Sequence, residues 1–385
     1  MKRRTQFLIG LAILALIVAG GALLLPRQER EVQARLIALP AEAAGFARAD
    51  GPRPLRFPAD HGPHPDYQTE WWYYTGNLET TDRRHLGYQL TFFRRALIPV
   101  EQQKPRASGW ATAQVYMAHF ALTDVAAKNF GAFERFSRGA AGLAGAQAAP
   151  FNIWLEDWQV QETEPGIYRL YAAVDGLTLD LYLVDEKGPV LQGDRGYSQK
   201  GPDPGNASYY YSHSRLLSSG RVQIDGAVFE VSGSSWMDHE FSTSALSPDQ
   251  VGWDWFALQL DDGSELMVFH IRRADGSLDP FSAGTLIQAD GTTHHLGHRD
   301  YTIRVEDTWR SPHSGAVYPA RWSISLPALD LDIQVVPHLS DQELNVSYTY
   351  WEGAVFISGA HAGRPVSGDG YVELTGYAGS MQGQF

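Results

Sequence analysis

The densest run of residues able to carry chemistry is Ser234-Ser235-Trp236-Met237-Asp238-His239-Glu240-Phe241-Ser242. Read as a strand, it sets Asp238 and Glu240 beside Trp236 on one face, and Met237, His239 and Phe241 on the other. Two carboxyl groups next to an indole can keep one of them protonated, which is what a proton donor requires. The same spacing also fits a barrel-rim strand with solvated acids and a hydrogen-bonded histidine. In Trp253-Asp254-Trp255-Phe256 the two indoles share a face and Asp254 points away. That is either core packing with one exposed acid or the wall of a lipid cavity, where ring faces stabilise a developing cation. In Glu70-Trp71-Trp72-Tyr73-Tyr74, residues Glu70, Trp72 and Tyr74 share a face. Glu70 there is a buried functional group or the exposed first residue of its strand. His270 shares a face with Leu266 and Val268, the position of a satisfied core histidine or of one lining a pocket.

Other chemistries lack their residues. There is no Gly-x-Ser-x-Gly elbow, phosphate-binding loop or dinucleotide fingerprint, and Thr243 stands where a zincin motif opened by His239-Glu240 needs its second histidine. With no cysteine, thiolate, disulfide and iron–sulfur chemistry are excluded. His294, His295 and His298 follow the Asp290-Gly291 turn, where a solvated hairpin tip is expected; His61 and His64 sit in a proline-rich entry segment that reads as structural. No metal and no cofactor are expected.

The elements that must position these residues are strands. Leu177, Leu179, Leu181 and Leu183 alternate with polar residues, as do Leu329, Leu331, Ile333 and Val335. Asp175-Gly176, Asp225-Gly226, Asp262-Gly263 and Asp275-Gly276 separate such runs, and Asp-Gly suits hairpin turns that need positive φ. Gly131–Arg138 reads as a short helix or loop and Gly139–Ala149 as a loop. A weak repeat lays Glu70–Glu79 over Gly252–Asp261, each followed by a turn and a strand ending in Arg-Arg (Arg94-Arg95; Arg272-Arg273). Two similar barrels in tandem would produce it.

The chain of 385 residues is long enough for two domains, and its 19% charged residues and 44% hydrophobic residues are globular in balance. A net charge of −13 argues against nucleic acid as a partner. Lys2, Arg3 and Arg4 precede an uncharged run over 7–25 closed by Pro26. That is the pattern of a signal peptide or of an uncleaved membrane anchor, with the body exported to the periplasmic side of an inner membrane. The expected organisation is 1–26 signal peptide or anchor, 27–54 linker, 55–228 first barrel and 229–385 second barrel.

The segments Phe57–His61, Glu70–Gly76, Ser235–Phe241, Gly252–Gln259 and Gly370–Tyr377 resemble the AttH-like, lipocalin-like family, often labelled "predicted secreted hydrolase" and related to carotenoid 1,2-hydratases. The resemblance covers roughly residues 55–380. It implies an all-β fold of two consecutive lipocalin-like (calycin-type) antiparallel β-barrels after the N-terminal apolar helix, with a cavity between or within them. It also implies acid-catalysed hydration or cyclisation of a carbon–carbon double bond in a lipid or isoprenoid. Asp238 would then be the acid, His239 would set its protonation or orient water, and Trp253 and Trp255 would shield the cation. Where the hydratase pattern resembles Asn-Trp, this chain has Glu240-Phe241, which leaves substrate and reaction open. The catalytic candidates are Asp238, His239 and Glu240; the ligand-binding candidates are Glu70, Trp72, Tyr74, Trp236, Trp253, Asp254, Trp255 and His270. A non-catalytic lipid or isoprenoid carrier of the cell envelope is the alternative.

Overall fold

The computed structural model describes residues 44–104, 107–243 and 246–381. The segment 1–26 and most of the expected linker lie outside them. Among the described residues no helix is long and apolar enough to cross a membrane. They form two antiparallel sheets, one of 13 strands and one of 10, curled into barrel or half-barrel shapes. The all-β expectation holds, with three short 3-10 turns as the helical content.

In the first sheet Thr69–Thr80 lies between His85–Ala96 and Ala227–Ser242, and Ala227–Ser242 pairs in turn with Ala207–Ile224. In the second, Gln250–Leu260 lies between Glu265–Arg273 and Arg364–Leu374, and Thr349–His361 follows. The two strands matched by the internal repeat therefore hold corresponding central places in the two sheets. The long hairpin Ala207–Ser242 turns on Asp225-Gly226, both at positive φ (49° and 87°), the backbone such a tight turn requires.

Strand Ala227–Ser242 corrects one expectation. A break at residue 228 falls inside it, and the whole strand belongs to the first sheet; the passage to the second sheet comes between Ser242 and Gln250. Two further readings are corrected. Asn129–Arg138 is a strand because Phe133 meets Phe120 across the pair with Gln114–Asp124. Ala144–Ala148 is a strand too, paired with Phe151–Leu155, although its small residues give no periodic signal.

Both faces of the central strands are buried. Trp72, Tyr74 and Leu78 enter the interior of the first sheet, while Phe256, Leu258 and Leu260 enter that of the second. The alternate residues Trp71, Tyr73, Trp253 and Trp255 meet in a third cluster with Trp236 and Tyr210. This third cluster lies between the sheets.

Candidate active site

A cavity of about 160 Å³ opens in that cluster. Trp71, Trp253, Trp255, Phe93, Phe269 and Ile271 supply apolar wall, and four carboxyl groups face it: Asp238, Glu240, Glu352 and Glu373. Lys200 is the cation on the lining.

Asp238 sits on Ala227–Ser242 with Ser212 as register partner on one side and Tyr73 on the other. It is 4% exposed. Its Oδ1 accepts from Ser212 Oγ (2.5 Å) and Trp236 Nε1 (2.7 Å), and its Oδ2 from Tyr210 Oη (2.6 Å). Burial pushes its pKa up to about 7, against the three donors that favour the anion; the Glu240 charge adds to the rise. The neighbours matter for the protonated form. An indole N–H cannot accept, so a proton on Asp238 must be donated to a hydroxyl. Tyr210 oxygen already accepts from Trp255 Nε1 at 3.1 Å and faces the cavity. When Asp238 donates to Tyr210, the tyrosine hydrogen is free to point at a ligand.

Glu240 binds Ser208 Oγ and lies 3.3 Å from Lys200 Nζ. The ammonium group is 4.2 Å from the Phe269 ring centroid. Glu373 accepts from Trp253 Nε1 at 2.7 Å. Burial raises its pKa to about 7, the Trp253 bond opposes this, and the charges of Asp238 and Glu240 add to it. Glu352, the register partner of Glu373, is fully buried beside the Tyr73 and Tyr350 hydroxyls, and among the described residues neither of its oxygens completes a well-formed hydrogen bond. Burial and the nearby Glu373 charge keep its carboxyl well above the usual range. Asp238, Glu240, Trp253 and Trp255 are thus brought together on one cavity, with Trp236 bonded behind Asp238.

Other sequence candidates lie elsewhere. His239 points to the opposite face, stacked on Trp72 with ring centroids 4.8 Å apart. Its Nε2 is 2.8 Å from Glu70 Oε1 and its Nδ1 3.1 Å from Tyr211 Oη. Glu70 also accepts from His64 Nδ1 (2.7 Å) and Arg94 Nε (2.7 Å), and His64 Nε2 meets Asp60 at 2.9 Å. Glu70, Trp72 and Tyr74 therefore belong to the first sheet's interior and do not line the cavity. Asp254 points away from it, held by Arg272 (2.9 Å) and Tyr377 (3.1 Å). His270 stacks on Tyr301 and is not on the lining.

Among the described residues two groups have the donor types of a cation site, His64–Glu70–His239 and His85–His338–Asp369. In the first, Arg94 already neutralises Glu70 from within a fully buried pair, so hydrogen bonds alone account for the cluster. The second bridges the sheets, with the His85 and His338 rings stacked at 3.9 Å. Neither group touches the cavity.

Sequence reasoning missed Trp71, Tyr73, Lys200, Tyr210, Glu352 and Glu373 on the lining. Glu373 does alternate with Tyr371 on its strand, the same acid-and-aromatic face that marked Asp238 and Trp236.

Fold and cavity define a class: two curled antiparallel sheets enclosing an aromatic, acid-bearing cavity between them. Within that class the chain belongs to the AttH-like family, whose sequence model matches residues 48–377. The crystal structure of an AttH protein from Nitrosomonas europaea is 36% identical, with a TM-score of 0.76, covering 86% of this chain and 100% of that one. Kievitone hydratase from Nectria haematococca shares the fold at 16% identity and a TM-score of 0.63, covering 89% and 99%. CghA does so at 11% identity and a TM-score of 0.51, covering 87% and 97%. No curated protein matches the sequence.

Proposed function

We propose that this protein is an exported enzyme that protonates a carbon–carbon double bond of a hydrophobic isoprenoid or lipid, completing hydration or cyclisation at the cation formed. The observation that carries the reading is Asp238: a carboxyl group biased to its neutral form, wired to Tyr210, on an aromatic-walled cavity.

An alkene is a weak base, so its protonation needs an acid held neutral until the ligand arrives. In the first step the proton leaves Asp238 directly or through Tyr210, a C–H bond forms at the less substituted carbon, and a tertiary cation develops. The faces of Trp71, Trp253 and Trp255 stabilise it where bulk water is scarce. In hydration, water oxygen then bonds to the cation and its surplus proton returns to the Asp238 carboxylate, so the net change is addition of one water. In cyclisation a second double bond attacks instead, and loss of a proton to the same carboxylate restores the acid. Tyr210 is a relay and not the net acid, because burial and the adjacent Asp238 and Glu240 charges keep its hydroxyl protonated.

Export rests on the basic residues and apolar run at 2–25, which support a body on the periplasmic side of an inner membrane, anchored or released. The wall also suits a carrier, since ligand pockets are mostly apolar with a few polar anchors. Asp238→Asn separates the two readings: turnover disappears while ligand binding persists. Unchanged turnover removes Asp238 from the mechanism, and stoichiometric ligand without product in the wild type leaves the carrier.

A further inference from the structure

Glu352 is unlike the other cavity acids. Asp238, Glu240 and Glu373 each hold named hydrogen-bond partners, whereas neither oxygen of Glu352 completes a well-formed bond at 0% exposure, although the Tyr73 and Tyr350 hydroxyls stand beside it. The hydroxyls of Tyr73 and Tyr371 are likewise buried without a well-formed bond, Tyr73 standing beside Glu352 and Tyr371 beside Thr123. All three belong together. After burial itself, the Glu352 carboxyl is the largest influence raising the pKa of the Tyr73 and the Tyr371 hydroxyl. Glu352 and Tyr73 both face the cavity. Leaving buried donors and acceptors unmatched is costly, so a cluster of them on a cavity wall is a socket for a polar group.

Resting on the proposed function, we infer that the Glu352–Tyr73 corner binds a hydroxyl group of the ligand, so that the natural substrate is an unsaturated isoprenoid alcohol or phenol and not a pure hydrocarbon. A neutral carboxyl both donates and accepts, and a phenol can complete the pair; a hydroxyl matches both, and a hydrocarbon matches neither. Tyr73 stands in register with Asp238 on the neighbouring strand and both side chains face the cavity, so the bound hydroxyl shares the cavity with the acid. The ligand's polar end and its reacting double bond are therefore neighbours. A site built to hydrogen-bond a hydroxyl discriminates strongly against the analogue lacking it.

The test is a titration of tryptophan fluorescence in the full chain with two probes of one carbon skeleton, farnesol and β-farnesene. The expected result is tighter binding of farnesol, by roughly tenfold or more. In Glu352→Leu and in Tyr73→Phe farnesol falls toward the farnesene affinity while farnesene is unchanged or improved. Tyr73→Phe carries the test if the leucine variant does not fold. Equal affinity of the two probes for the wild type, or a preference that survives both substitutions, overturns the inference and leaves the proposed function standing. Failure of both probes to bind the wild type overturns the inference and the proposed function together.

Discussion

Replacing Asp238 by asparagine should raise stability at alkaline pH and not at acidic pH. The folded protein holds the Asp238 proton until about pH 7, while an unfolded aspartate releases it near 3.8. Across that window the folded state binds more protons than the unfolded one, so stability falls as pH rises, levelling above about pH 7. At 1.36 kcal/mol per pH unit the fall is of order 4 kcal/mol. Asparagine has the same shape and no charge to desolvate. Its carbonyl oxygen can keep the Ser212 and Trp236 donors, and its amide can donate to the Tyr210 oxygen. Urea unfolding of wild type and variant at about pH 5 and about pH 8.5 reads the effect. At the lower pH the unfolded aspartate is already ionised, so roughly 1.6 kcal/mol of the fall offsets the roughly 1 kcal/mol lost in hydrogen-bond quality, and the two proteins should be nearly equal. At the higher pH it should be more stable by a few kcal/mol. Glu373 titrates in the same range but is present in both proteins, so it largely drops out of the difference. A stability difference that does not change with pH would refute the protonated-Asp238 argument.

Three further outcomes follow from the geometry. Tyr210→Phe removes the relay and the cavity-side hydroxyl; turnover should fall by roughly 10²-fold with ligand affinity within a few-fold, by paired steady-state and fluorescence measurements. Glu70→Leu leaves Arg94 buried without its carboxylate, and thermal and urea unfolding should show a loss of roughly 3–5 kcal/mol. Asp254→Asn, on the far face of its strand, should leave turnover within a few-fold of wild type.

Period-2 reading went far in this chain. It paired Asp238 and Glu240 with Trp236, and Trp253 with Trp255, and the structure keeps both groupings on one cavity. What it could not decide is which face of each strand looks into a sheet's interior and which looks between the sheets. In Glu70-Trp71-Trp72-Tyr73-Tyr74 both alternations are aromatic, because both faces are buried, so the pattern carries no direction. The sequence pattern therefore sets Glu70, Trp72 and Tyr74 with the ligand, while Trp71 and Tyr73 are the residues of this strand segment that line the cavity. Glu352 and Glu373 come from strands at the far end of the sequence, brought against Tyr73 and Asp238 by sheet packing that no local spacing encodes. The chain passes to the second sheet after Ser242 and not at residue 228, because the Asp225-Gly226 turn continues a long hairpin within the first sheet.

The central claim is that the cavity between the sheets takes an unsaturated isoprenoid-like ligand to the Asp238 acid. Mass spectrometry on the solvent extract of the protein purified from its native host tests it most directly. The expected result is an unsaturated isoprenoid, or the same molecule heavier by one water. Recovery of ordinary membrane lipids alone, or of no ligand, would contradict it.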